Sequence, residues 1–197
     1  DVKQKLLRLL KLAFRRLQVL KFFFGHRLLD HKLADKLLIL AVEKIHQSRA
    51  GKHALNFLQG WSGTLLVDDY AGYKQLMGQK VKEAGCWAHA RRKFFELHVA
   101  NKSQIVEQAL VFIGQLYEIE RMVAGASEDE RLRIRQTQSR PVMETLQRWL
   151  QEHRAKVPEG SATAKAIDYS FRRWQALSGF IDNAQVPIDN NWIENQM

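Results

Sequence analysis

Apolar residues recur along most of this chain at the spacing of a helix rather than a strand. Leu6, Leu10, Ala13, Leu17, Leu20 and Phe24 fall three or four apart, while Arg8, Lys11, Arg15 and Gln18 take another face. That pattern predicts a basic amphipathic helix. A second helical run, Leu29, Leu33, Leu37, Leu40 and Ala41, follows the break at Gly25-His26. Beyond Ser48 the reading is a helix over 52–59, a strand over Thr64 to Asp68, a short turn helix over 73–77, and a second strand over 81–86 that feeds a helix over 87–99. Only helical patterns follow, over 103–124, 128–156 and 162–181. Gly125-Ala126-Ser127 and Val157-Pro158-Glu159-Gly160 break them, since glycine and proline interrupt a helix and serine caps one.

Two segments put a carboxylate where the backbone would hold it still. In Gly63-Thr64-Leu65-Leu66-Val67-Asp68-Asp69-Tyr70-Ala71-Gly72-Tyr73 an apolar run ends in acids and a turn, so Asp68 is expected at the end of a buried strand. In Val186-Pro187-Ile188-Asp189-Asn190-Asn191-Trp192-Ile193-Glu194-Asn195 the proline and the Asp-Asn-Asn cluster read as a helix start, with Glu194 in its first turn or two. Oxygen ligands on rigid elements suit Mg²⁺, which tolerates little distortion. The same residues also fit a plainer reading, with Asp68 and Asp69 as turn residues and Glu194 closing an Asn191-x-x-Glu194 capping box.

The wording of the segments adds a resemblance. Asp-Asp-Tyr-Ala-Gly-Tyr, then Gly85-Cys86-Trp87-Ala88-His89-Ala90-Arg91-Arg92-Lys93-Phe94-Phe95, then Pro187-Ile188-Asp189-Asn190-Asn191-x-x-Glu194-Asn195 closely resemble, in that order, the transposases of the insertion-sequence 66 family. Gly51-Lys52-His53-Ala54 with Phe57-Leu58-Gln59-Gly60-Trp61, and the stretch from Gly160 to Tyr169, resemble it too, so the likeness runs from about Ser48 to Met197. It implies a DDE-type enzyme with a ribonuclease-H-like core, in which two aspartates and one glutamate hold two metal ions, Mg²⁺ or Mn²⁺. Such an enzyme cleaves transposon ends by water attack on a phosphodiester and joins the freed 3′ hydroxyl to target DNA. By motif, Asp68 corresponds to the second aspartate and Glu194 to the glutamate, both catalytic and metal-binding. The family's first aspartate lies in an Ala-Asp-Glu-Thr type segment, and residues 1–67 contain none. The family also continues beyond its glutamate through a basic and aromatic segment. The resemblance therefore implies a chain truncated at both ends, inactive on its own, with weak or absent metal binding.

The expected architecture is mainly α with a small β remnant. Residues 1–47 form a basic amphipathic helical arm unlike the family, 48–102 a partial ribonuclease-H-like α/β core, 103–182 a large all-helical insertion, and 183–197 the start of the glutamate-bearing helix. Expected partners are DNA, as transposon ends and target, and further copies of the chain in a homo-oligomer; no small-molecule substrate is expected. In related transposases a Cys-x-x-His pair follows the second aspartate. Here Cys86 and His89 stand three apart and share a helical face, read as packing and hydrogen bonding rather than zinc ligation, since the chain holds one cysteine. His89, Arg91, Arg92 and Lys93 are candidate DNA contacts, with Arg172 and Arg173 a weaker case. The plainer alternative is a solvated basic face over buried Phe94, Phe95 and Leu97.

Charge changes the picture less than the total implies. The net charge is +10, but residues 1–50 hold 12 Lys+Arg against 4 Asp+Glu, leaving 19 against 17 for the rest. Basicity thus belongs mainly to the arm, which could dock on the core, lie on an anionic membrane surface or bind DNA phosphates. Its alternative function is that of a non-enzymatic basic module binding DNA or a partner protein. One cysteine excludes an internal disulfide, no uncharged apolar run reaches membrane-spanning length, and the start lacks the order of a signal peptide. These features lead to an expected cytoplasmic, nucleoid-associated bacterial protein without a membrane span. His26, His31, His46, His98 and His153 show no ligand spacing, and Trp61, Trp149 and Trp174 read as packing residues.

Overall fold

The computed structural model describes residues 62–68, 74, 77–78 and 80–191. The basic arm, the helix read over 52–59, most of the turn helix read over 73–77, and Glu194 lie outside them. The chain divides into two compact units, Asp1–Leu65 with Tyr70–Lys82 and Leu66–Asp69 with Glu83–Met197.

Strands β1 (Gly63–Val67) and β2 (Val81–Gly85) form a two-stranded sheet. The Gly63 amide donates to the Lys80 carbonyl at 2.9 Å and the Cys86 amide to the Val67 carbonyl at 3.2 Å. The pairing advances in one direction along both strands, so they are parallel. Parallel strands are covered on both faces, which explains why Leu65, Leu66 and Val67 are all buried instead of alternating.

The second unit is otherwise helical: α1 (Trp87–Asn101), α2 (Gln104–Met122), α3 (Glu128–Ile134), a π-helical turn (Arg135–Ser139), α4 (Arg140–Arg154), α5 (Ala162–Arg172) and α6 (Trp174–Ser178). Burial follows helical spacing, at Trp87, Ala90 and Phe94 of α1, at Val106, Ala109, Ile113 and Leu116 of α2, and at Met143, Leu146 and Leu150 of α4. Helix α1 packs on α2 and α5, and α2 on α4. Among the described residues 103–181 there is no strand, as the periodicity predicts. The two breaks also behave as read. Gly125 (φ 84°) and Gly160 (φ 72°) take left-handed conformations, and Ser127 and Ser161 cap α3 and α5 by accepting the Glu130 and Ala164 amides at 3.2 and 3.1 Å.

The long helix read over 128–156 is not regular. Pro141 has no N–H to return to the carbonyl four residues back, and the helix widens into the π turn just before it. That turn sends Arg135 inward, leaving it 1% exposed. Its Nε and Nη2 fork onto Glu120 at 2.8 and 2.6 Å, and Nη1 donates to the carbonyls of Phe180, Asn183 and Val186 at 2.8, 2.9 and 3.0 Å. The loop after α6 is thereby fixed to the bundle. A Cβ on Gly85 would come 3.0 Å from the Leu177 amide nitrogen within α6 itself, so only glycine lets β2 approach α6 this closely. Trp149 stacks on His153 at 3.7 Å, and Trp174 meets Trp87 edge-on at 6.2 Å, which makes these aromatics packing residues. No helix among the described residues is long and apolar enough to cross a membrane.

Candidate functional site

Asp68 is the first residue past β1, at the carboxyl end of a parallel strand, where α/β sheets commonly place their ligands. Its side chain is 39% exposed. His89, in the first turn of α1, brings Nε2 to 3.6 Å from Asp68 Oδ2, an ion-pair distance for a protonated ring but too long for a hydrogen bond. The Tyr169 hydroxyl of α5 donates to the Asp68 carbonyl at 3.4 Å. Lys93, one turn after His89, places Nζ 4.4 Å from the centre of the Tyr169 ring. An imidazole thus faces the Asp68 carboxylate, while a phenol holds its backbone carbonyl and carries an ammonium over its ring.

The strand end is held from behind. The Arg173 guanidinium pairs with Glu83 and donates through Nη2 to the Val67 carbonyl at 3.2 Å. Arg173 is buried, so it serves the fold and not a phosphate, contrary to the reading of Arg172 and Arg173 as a pair; Arg172 alone is exposed. The Trp87 indole donates to the Leu177 carbonyl at 2.9 Å.

The segment that leads to Glu194 docks against the same place. The Trp87 amide, at the start of α1, donates to the Ile188 carbonyl at 3.0 Å. The Cys86 thiol donates to Asn190 Oδ1 at 3.0 Å. Burial pushes the Cys86 thiol up from its ordinary value, which keeps it protonated and able to donate. Cys86 therefore touches both parts, with its amide on the Val67 carbonyl and its thiol on Asn190. Asp189 accepts from the Tyr117 hydroxyl at 2.7 Å and from the Asn191 amide at 3.0 Å. Burial and then the Asp189 contact raise the Tyr117 hydroxyl, so it too stays a donor. Asn191 is the last described residue and is helical; the rest of the helix that the Pro-Ile-Asp-Asn-Asn wording predicts, Glu194 included, lies outside the described residues.

The four basic candidates part company. His89 and Lys93 share the face of α1 beside Asp68. Arg91 and Arg92 line an open cleft between α1 and α2. Sequence reasoning missed Tyr117, Tyr169 and Arg135, whose partners lie 15 to 101 residues away. For a divalent ion, the described donors at the strand end are Asp68 and His89, and no group of three or more His, Cys, Asp or Glu side chains that could hold a metal occurs among the described residues. These donors alone do not complete such a site.

A model of the IS66 transposase family matches residues 36–197. The chain belongs to that family. Similar to it are three proteins of Sinorhizobium fredii (strain NBRC 101917 / NGR234), each called uncharacterized. These are y4hP, 33% identical over 78% of this chain and 31% of the relative; y4qI, 32% identical over 77% and 30%; and y4jD, 34% identical over 77% and 31%. The IS66-type chain thus spans about a third of the length of these curated relatives. No solved structure matches it.

Proposed function

We propose that this chain carries the part of an IS66-type transposase that brings the second aspartate and the glutamate of a DDE site together, within a ribonuclease-H-like core. The observation that carries the reading is the double attachment of Cys86, to the carbonyl of Val67 just before Asp68 and to Asn190 in the segment that leads to Glu194. Asn190 and Glu194 stand four apart, so on the helix that the sequence predicts they would share a face. Asp68 and Glu194 are then the two carboxylates that hold Mg²⁺ or Mn²⁺. When bound, the divalent ion supplies charge neutralisation at the phosphodiester and a more acidic attacking water.

The chain's own residues do the rest. His89 stands 3.6 Å from Asp68 and Lys93 one turn further along α1, and there they offset phosphate charge and hold a DNA strand across the strand end. Tyr169 fixes the backbone of Asp68 so that its carboxylate keeps one aim. With no Ala-Asp-Glu-Thr type segment in residues 1–67, the polypeptide binds transposon ends and target DNA, as a homo-oligomer in the bacterial nucleoid, without cutting them.

Thermal unfolding with and without millimolar Mn²⁺ tests the carboxylate pair. A ligand at ten times its dissociation constant stabilises a fold by about 1.4 kcal/mol, roughly 3–6 °C for a domain of this size. The shift is expected in the parent and lost in both Asp68→Asn and Glu194→Gln. A parent that shows no metal-dependent shift while folded overturns the pairing and leaves Glu194 as a helix cap.

A further inference from the structure

The cleft between α1 and α2 has a volume of about 510 Å³, on the scale of small-ligand sites. Arg91 and Arg92 of α1 and Arg121 of α2 line it, against the single carboxylate of Glu118, which pairs with Arg121. Phe95 adds an apolar ring that is 45% exposed, with the Arg91 guanidinium 5.5 Å from its centre. Asn191 lines it as well.

Gly114 is the informative residue. It sits in the interior of α2, where glycine is a poor choice for a helix. A Cβ there would meet nothing within 4 Å, so packing does not require the glycine. It lines the cleft, and what its missing side chain leaves is open space in front of three guanidinium groups. Planar guanidiniums match phosphate in a way that a carboxylate-lined groove cannot. An exposed aromatic ring among them offers a face to an unpaired base, the combination that single-stranded nucleic acid uses.

We infer that the α1–α2 cleft is a binding groove for a single DNA strand, its phosphates on Arg91, Arg92 and Arg121 and a base against Phe95, kept open by Gly114. The groove rests on the reading of the chain as a DNA-handling transposase, but it uses neither Asp68 nor Glu194. Because Asn191 borders it, the groove reaches the segment that leads to Glu194.

The test is fluorescence anisotropy of the 197-residue chain with a labelled twelve-nucleotide single strand, a duplex of equal length and an acidic peptide of equal charge, over a salt series. Gly114→Leu fills the cleft while improving the helix, so its melting temperature should equal or exceed the parent's. It should weaken single-strand binding about tenfold or more, the scale of losing one stacked base. Arg121→Gln should flatten the dependence of log affinity on log salt by about 0.7, one phosphate's worth on a single strand. The Mn²⁺-dependent melting shift of the parent is read on the same preparations, so failure of the carboxylate pairing is scored apart from failure of the groove. The inference fails if folded Gly114→Leu binds the single strand like the parent. It also fails if Arg121→Gln leaves the salt slope unchanged, if Gly114→Leu weakens duplex binding as much as single-strand binding, or if the acidic peptide competes as well as the DNA.

Discussion

Replacing Arg135 by methionine removes the charge while keeping a long side chain in the π turn. In the folded chain the guanidinium is buried and satisfies the Glu120 carboxylate and three backbone carbonyls of the loop after α6. Methionine can donate to none of them. Glu120, whose side chain is 15% exposed, is left a nearly buried anion without its partner, and the carbonyls of Phe180, Asn183 and Val186 lose their donor. Breaking a buried pair by removing one member costs about 3–5 kcal/mol, chiefly because an uncompensated charge remains. For a chain of this length that is about 10 °C in melting temperature. Urea unfolding should show the midpoint fall with little change in slope, since the surface exposed on unfolding is unchanged. Adding Glu120→Gln removes the stranded charge, so the double variant should be less unstable than the two single losses added together, by about 1–3 kcal/mol. A loss below about 1 kcal/mol for Arg135→Met, or simple additivity in the double variant, would refute the hub role, since surface arginines cost no more than that.

The metal-dependent shift and the groove variants test the carboxylates and the cleft. Cys86 offers a third check that requires no ligand. Its thiol is buried, raised in pKa and bound to Asn190, so a thiol reagent at pH 8 should modify the native chain far more slowly than the unfolded one. Arg135→Met should speed that reaction by loosening the loop that precedes Asn190, and equal rates in native and unfolded chains would contradict the attachment. Finally, with Mg²⁺ or Mn²⁺ the 197-residue polypeptide should leave DNA bearing the element's ends uncut. Nicking that disappears in Asp68→Ala would show that another acid, Asp69 for example, completes the carboxylate set.

Much of the local architecture was legible in the residues. The helical runs beyond residue 87, the glycine breaks and the serine caps all depend on neighbours a few positions away, and such short-range physics survives in a linear reading. Asp68 at a strand's end was legible for the same reason, since an apolar run that stops at acids and a glycine turn admits few local structures. What the sequence could not display is which polar side chains face inward. Arg135 and Arg173 look like surface arginines of amphipathic helices. They are buried because Glu120, Glu83 and a set of carbonyls arrive from 15 to 106 residues away to satisfy them. The division of one basic run into His89 and Lys93 beside Asp68 and Arg91 and Arg92 in the cleft likewise waits on where α2 and α5 dock. Helix periodicity sets the angle between those residues, but only tertiary packing decides what stands opposite each face.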